Sequence, residues 1–324
     1  MLSRVANAIY WMCRYIERAE NVARFISVNL NLLLDMPSEG NRQWEPLVMT
    51  TGDQAFFERH HPDYSQEAVI RFLTFERDYP NAILTCLAAA RENGRSIREI
   101  ISSEMWEHLN NFYLELADPA GPQMALADPL RFYKIIQMRS HLFTGLMDCT
   151  MSHGEAWNFA RIGMMMERAD KTSRILDVKY FMLLPRADFV NTPIDNIQWM
   201  AVLKSASAFE MFRKRHHRIT PRSVADFLIF DRRFPRSIRH CTAKAQICLH
   251  RITGSSPGTS RNAAEKRLGR LMADLEYADI DDVIQQGMHE YLDGLQTQLN
   301  QVDTAIGRTF FNLQPLIETA TQEQ

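Results

Sequence analysis

Two clusters of charged residues carry the clearest chemical signal in the chain: Glu17-Arg18-Ala19-Glu20 with Arg24, and Glu167-Arg168-Ala169-Asp170 with Arg174. The second follows the first by 150 residues. On a helix turning about 100° per residue, Glu17, Glu20 and Arg24 share an arc of about 60°, flanked by Arg14 and Asn21. Glu167, Asp170, Lys171 and Arg174 take the same arc in the second cluster. A carboxylate in a cleft can act as a general base, and a guanidinium fork can hold a carboxylate or phosphate. That chemistry would use Glu17 or Glu167 as the base and Arg18, Arg24, Arg168 or Arg174 as the clamp. The same residues also suit a salt-bridged helix, because Glu20 and Arg24 stand at the favourable i, i+4 spacing. Arg18 and Arg168 lie off the polar arc, toward the apolar side. An arginine there either extends its head to water or pairs with a buried acid.

Other candidate groups are weaker. Arg59-His60-His61 and Arg215-His216-His217 each hold adjacent histidines. Neighbours on a helix point about 100° apart and do not form the i, i+4 pair of helical metal sites. Basic residues at a helix C-terminus, where the macrodipole favours them, account for both. No metal and no cofactor is expected. Cys13, Cys86, Cys149, Cys241 and Cys248 form no C-x-x-C pair and are odd in number. Scattered free thiols fit a reducing cytoplasm. The first residues lack the basic-then-apolar pattern of an export signal. No P-loop, glycine-rich dinucleotide turn, G-x-S-x-G elbow or H-E-x-x-H occurs.

Charge is uneven along the chain. The 37 cations comprise 30 Arg and seven Lys, against 39 acids. Between Arg213 and Arg251 stand 11 Lys plus Arg and two Asp; from Asp274 onward stand ten acids and Arg308. Arg232, Arg233, Arg236 and Arg239 form the densest part of the basic block and could bind an anion, a partner or the phosphates of RNA. Alternatively, the acidic C-terminal segment packs near that block and neutralises it. The net charge of −2 argues against bulk attraction to nucleic acid or membrane.

The elements that must position these groups are helices. Apolar residues recur at three- and four-residue steps from Ser3 to Pro37. Further helices are expected near 43–60, 65–76, 81–117, 129–150, 153–183, 193–217, 222–231, 236–252, 261–277 and 281–312. Asp128-Pro129, Thr192-Pro193 and Thr220-Pro221 each set a capping oxygen before a proline at the first helical position. Ser152 and Glu155 match a capping box. With 13 Gly and 13 Pro in 324 residues there is little material for a many-turned sandwich or barrel. No apolar run reaches the roughly 18 residues of a membrane span.

An internal repeat organises the whole. Trp44 recurs as Trp199, and Phe72-Leu73-Thr74-Phe75-Glu76-Arg77-Asp78-Tyr79-Pro80 as Phe227-Leu228-Ile229-Phe230-Asp231-Arg232-Arg233-Phe234-Pro235, both 155 residues later. The Arg-His-His triplets stand 156 apart. The expectation is an all-α, internally duplicated bundle or array of 10–12 helices. Its two units of about 150 residues, 1–150 and 151–324, would pack as one compact body.

Assembled, these residues resemble the alpha-E family, all-helical bacterial proteins named for a repeated Glu-Arg motif. The resemblance rests on Met1-Leu2-Ser3-Arg4-Val5-Ala6, Tyr10-Trp11-Met12, Arg14-Tyr15 and Glu17-Arg18-Ala19-Glu20 at the start. In the middle it rests on Ala90-Arg91-Glu92-Asn93, Arg98-Glu99 and Trp106-Glu107. Later it rests on Gly154-Glu155, Trp157, Glu167-Arg168-Ala169-Asp170 and Leu176-Asp177-Val178-Lys179-Tyr180. Cys13, Gly94 and His153 depart from the pattern, and Met164 replaces the counterpart of Arg14. The family has no established activity. Its members accompany circularly permuted ATP-grasp proteins and transglutaminase-like proteins, which implies a role beside peptide synthesis or modification.

Three functions follow as expectations. The first is a non-catalytic accessory or substrate-presenting subunit of such a system. The second is a helical enzyme of that system using the Glu-Arg residues. The third is an RNA-binding module using residues 213–251. A homo-oligomer is compatible with all three.

Overall fold

The computed structural model describes residues 1–35, 44–182 and 193–312. These residues form sixteen α-helices and no strand. In the first half they are α1 (Ser3–Asp35), α2 (Glu45–Thr51), α3 (Gln54–His60), α4 (Gln66–Phe75), α5 (Ile83–Ser96), α6 (Ser103–Leu116), α7 (Gly121–Ala127) and α8 (Pro129–Thr150). In the second they are α9 (Glu155–Met182), α10 (Pro193–Ser205), α11 (Phe209–Arg213), α12 (Pro221–Phe230), α13 (Ile238–Thr253), α14 (Ala263–Tyr277), α15 (Ile280–Gln286) and α16 (Met288–Ile306).

The expected 10–12 helices become sixteen because several long periodic stretches break and α7 forms between two expected helices. Gly52 (φ 79°) ends α2 in the left-handed region, Ser207 (φ 52°) follows α10, and Gly287 (φ 97°) separates α15 from α16. Apolar periodicity runs through such breaks because both pieces face the same core. Stretch 81–117 breaks where Ser102 caps α6, its hydroxyl accepting from the Met105 N–H at 3.2 Å. The Asp128 and Thr220 caps form as expected. Thr192 lies outside the described residues. No Ser152–Glu155 box forms among the described residues; the Glu155 carboxylate instead receives the Met1 ammonium at 2.8 Å.

α1 and α9 lie side by side at the centre of the molecule. Met1 reaches Glu155, the Tyr10 carbonyl touches Gly163, and Arg14 meets Glu167, so the two helices advance together and are parallel. Gly163 permits this approach, because a Cβ there would collide with the Tyr10 carbonyl oxygen. α5 and α8 pack on α1, while α13 and α16 pack on α9. α6 bridges α5 and α8, and α14 bridges α13 and α16. The halves also interlock, for α2 packs on α9 and α10 on α1. One cluster of buried apolar side chains runs through both.

Finer contacts recur with the 155-residue offset. Phe57 stacks on His61 and Phe212 on His216; Phe57 meets Phe72 edge-on and Phe212 meets Phe227 edge-on. The Cys86 thiol approaches the Pro80 carbonyl, and the Cys241 thiol the Pro235 carbonyl. These contacts recur at matching places in the two halves. They also correct the histidine register: His61 corresponds to His216, so the triplet match at 156 is one residue out of step.

Candidate functional site

The charged residues of α1 and α9 do not line an open cleft. They exchange partners across the helix pair. Arg168 donates Nε to Glu17 Oε1 and Nη2 to Oε2, both at 2.8 Å. Arg18 returns the arrangement, donating Nε to Glu167 Oε1 at 2.7 Å and Nη2 to Oε2 at 3.0 Å. Each arginine leaves its own helix's acid and takes the acid of the other, which explains why Arg18 and Arg168 sit off the polar arc. Glu167 has no exposed surface, and Glu17 is 4% exposed.

Further cations complete each carboxylate. Arg14 Nε donates to Glu167 Oε2 at 2.9 Å, and its Nη1 donates to Asp303 of α16 at 2.5 Å. Lys171 stands 3.6 Å from Glu167 and 3.2 Å from Asp170, and Arg174 donates to Asp170 one turn before it. On the other side, Arg236 Nη1 donates to Glu17 at 3.0 Å and to Asn21 at 3.1 Å, and its Nη2 donates to Glu20 at 2.7 Å. Arg24 pairs with Glu20 within α1. The nine sequence-derived residues of the two Glu-Arg motifs therefore fall into two ion clusters, one around Glu167 with Arg14, Arg18, Asp170 and Arg174, the other around Glu17 with Glu20, Arg24 and Arg168.

The two sides differ in a compensating way. Asn21 occupies the α1 position that Lys171 holds in α9, and Asn81 follows Pro80 as Arg236 follows Pro235. Asn81 accepts from Arg18 Nη1 at 2.6 Å, where Arg236 on the opposite side donates to Glu17. The added cation thus comes from the long helix itself on the Glu167 side, as Lys171, and from the residue after Pro235 on the Glu17 side, as Arg236, with an asparagine at each of the exchanged positions.

The electrostatics disfavour acid–base work. Burial alone would raise the Glu17 carboxyl, but Arg168 and Arg236 bring it below its ordinary value. Burial opposes ionisation of Glu167 and Glu20 as well. Arg18, Arg14 and Lys171 nevertheless hold Glu167 well below the carboxylate range, and Arg236 with His141 and Arg24 does the same for Glu20. A general base works best with a pKa near the operating pH. The adjoining cavity, lined by Glu17, Glu20, His141, Arg168 and Arg236 among others, measures about 20 Å³, room for one water and no substrate.

The basic block does not act as a unit. Arg236 points inward and is 7% exposed, so it belongs to the ion network. Arg232 and Arg239 both pair with Glu276 of α14. Arg233 alone of the four projects from the surface without a side-chain ion pair among the described residues. The four arginines expected as one anion-binding cluster are therefore divided: Arg232 and Arg239 converge on Glu276, Arg236 turns inward to Glu17 and Glu20, and Arg233 stands apart on the surface. The acidic C-terminal segment supplies the neutralising partner, as the alternative reading anticipated.

No three His, Cys, Asp or Glu side chains gather as metal ligands among the described residues. The five cysteines are unpaired, four of them buried. Burial pushes the Cys13, Cys86 and Cys241 thiols up to about 12, far from a reactive thiolate. No described helix is long and apolar enough to cross a membrane.

Sequence patterns alone did not point to Asp303, Asn81 or Arg236 as network members. The 155-residue register could have paired Asn81 with Arg236. Nothing local marks Asp303, which also accepts from the Tyr10 hydroxyl at 2.5 Å.

Residues 1–311 match the family model Alpha-E, described as a predicted alpha-helical domain with a conserved ER motif. Uncharacterized proteins of Mycobacterium bovis and Mycobacterium tuberculosis are 21% identical over 332 residues, covering 94% of this chain. The chain spans only 36% of the length of these curated relatives. No solved structure matches.

Proposed function

From the premise that the chain belongs to the Alpha-E family, we propose that it is a non-catalytic accessory subunit of an ATP-grasp-associated system. That system makes or modifies a peptide in the cytoplasm, and this chain presents substrate or scaffolds the ligase. The observation that carries the reading is the reciprocal closure of Glu17 on Arg168 and Glu167 on Arg18. The residues best suited to chemistry are spent on joining the two halves. A buried ion network of this kind favours one arrangement of the chain over others. The length of the mycobacterial relatives adds support, since there the fold occupies about a third of a larger protein. The ATP-grasp and transglutaminase-like partners themselves come from the family resemblance.

The test is co-purification of this protein with a circularly permuted ATP-grasp protein of the same organism, followed by the ligase rate with and without it. Association with an altered rate is expected. No binding at micromolar concentrations would sink the proposal. Neither alternative gains a favouring observation: Glu17 and Glu167 are held ionised, and Glu276 occupies two arginines of the proposed RNA surface.

A further inference from the structure

α8 is apolar on two sides. Its inner side places Phe132, Tyr133, Ile136, Phe143 and Met147 in the core. Its outer side carries Ile135, Met138 and Leu142, which are 42%, 54% and 48% exposed. Gly145 and Cys149 continue the line, and both are exposed. The positions 135, 138, 142, 145 and 149 advance by alternating steps of three and four, the spacing of a coiled-coil seam. From Ile135 to Cys149 the seam extends about 21 Å at 1.5 Å per residue. A stripe this regular is unlike the scattered surface apolar residues of ordinary proteins.

We propose that this seam is a dimer interface, on which a second copy of the chain lays its own α8 antiparallel about a twofold axis near Ser140. The edge residues choose both partner and direction. Lys134, His141 and Asp148 flank the seam on one edge, and all three are exposed. In the antiparallel register Lys134 faces the partner's Asp148, and the twofold repeats that pair. Asp148 accepts from Trp157 at 3.1 Å, stands 3.7 Å from Arg161 and is 42% exposed at the side chain, so the partner's Lys134 would join Arg161 at its outer edge. A parallel pairing would instead set Lys134 beside the partner's Arg139, a like-charge contact.

Size complementarity selects the same register. Met138 meets the partner's Leu142, and Ile135 meets the partner's Gly145. An added Cβ at Gly145 would touch nothing within 4 Å, so the space for a facing isoleucine is open. A shift by one heptad would lose the Lys134–Asp148 pair; in the chosen register Arg131 meets the partner's Cys149 only at the end of the seam. Self-complementarity under a twofold is what an isologous dimer requires.

Sedimentation equilibrium of the full chain at increasing concentration reads the proposal directly. A monomer–dimer equilibrium is expected, and Leu142→Glu should weaken it by about tenfold or more. Lys134→Glu should also weaken it, and Lys134→Glu with Asp148→Lys should restore it, a rescue that general surface stickiness would not produce. Circular dichroism establishes that each variant is folded. A monomer up to about 100 µM would overturn the proposal, leaving the seam to a segment of another protein. So would a dimer indifferent to both Leu142→Glu and Lys134→Glu, which would place the contact elsewhere.

Discussion

Glu17 and Arg168 stand 151 positions apart in the chain and meet through two parallel hydrogen bonds of 2.8 Å. The relation is returned by Arg18 and Glu167, so each of the two long parallel helices supplies the counter-ions of the other. Because both carboxylates are buried, the exchange makes either half electrostatically incomplete without its partner. Such pairs contribute less to net stability than their Coulomb attraction suggests, but removing one member is costly.

Glu167→Gln should therefore destabilise the protein by about 3–5 kcal/mol, because it leaves Arg14, Arg18 and Lys171 around a neutral amide. Glu17→Gln should behave similarly. Urea unfolding followed by circular dichroism measures both. A loss below about 1 kcal/mol, typical of a surface pair, would show that these ion pairs do not join the two helices.

Arg236→Asn should cost about 3 kcal/mol, since Glu17 and Glu20 both lose a donor in a buried setting. Adding Asn21→Lys should recover part of that loss by placing a cation where Lys171 stands relative to Glu167. A double-mutant cycle measures the coupling. Additive effects would refute the compensating exchange of asparagine and cation. Arg233→Ala, on the surface nearby, should change stability by less than about 0.5 kcal/mol.

Acid should unfold the protein through the same residues. Glu17, Glu20, Glu167 and Asp170 are all held below their ordinary values of 4.5 for Glu and 3.8 for Asp. The folded state binds protons less readily than the unfolded chain, so their contribution is complete above the unfolded values. It is lost as the pH falls toward the folded ones. The urea midpoint should drop steeply between about pH 5 and about pH 3, and Glu167→Gln should make that drop shallower. An unchanged slope in the variant would contradict the assignment.

Gly163→Ala should destabilise by about 1–3 kcal/mol or more, as overpacking does, because the added methyl meets backbone rather than a movable side chain. Gly145→Ala, in open space on α8, should be neutral or slightly stabilising to the monomer. Thermal melting of the two variants at dilute concentration compares them directly.

Much of this architecture was legible in the residues. The helical periodicity, the Asp128 and Thr220 caps and the acid–arginine arc are local patterns, and local patterns are set by neighbours three or four residues away. The 155-residue recurrence of the Phe-Leu motif likewise requires only comparison of the chain with itself. Short breaks were not legible, because the apolar face continues across Gly52 and Gly287. The fate of the four arginines from Arg232 to Arg239 was not legible either: an inward turn at Arg236 and a pairing with Glu276 depend on what lies alongside.

The sequence by itself determined that the chain is helical and that its Glu-Arg clusters stand at matching places on two long helices. Only the tertiary structure decided where those charges go. A helix wheel places Glu17 and Arg18 on their own helix, and their nearest candidate partners along the chain are local. Parallel packing of α1 on α9, permitted by the missing side chain at Gly163, brings a second helix within hydrogen-bond reach. Burial then makes an unpaired charge too costly to leave, and the acids and arginines of the two helices exchange.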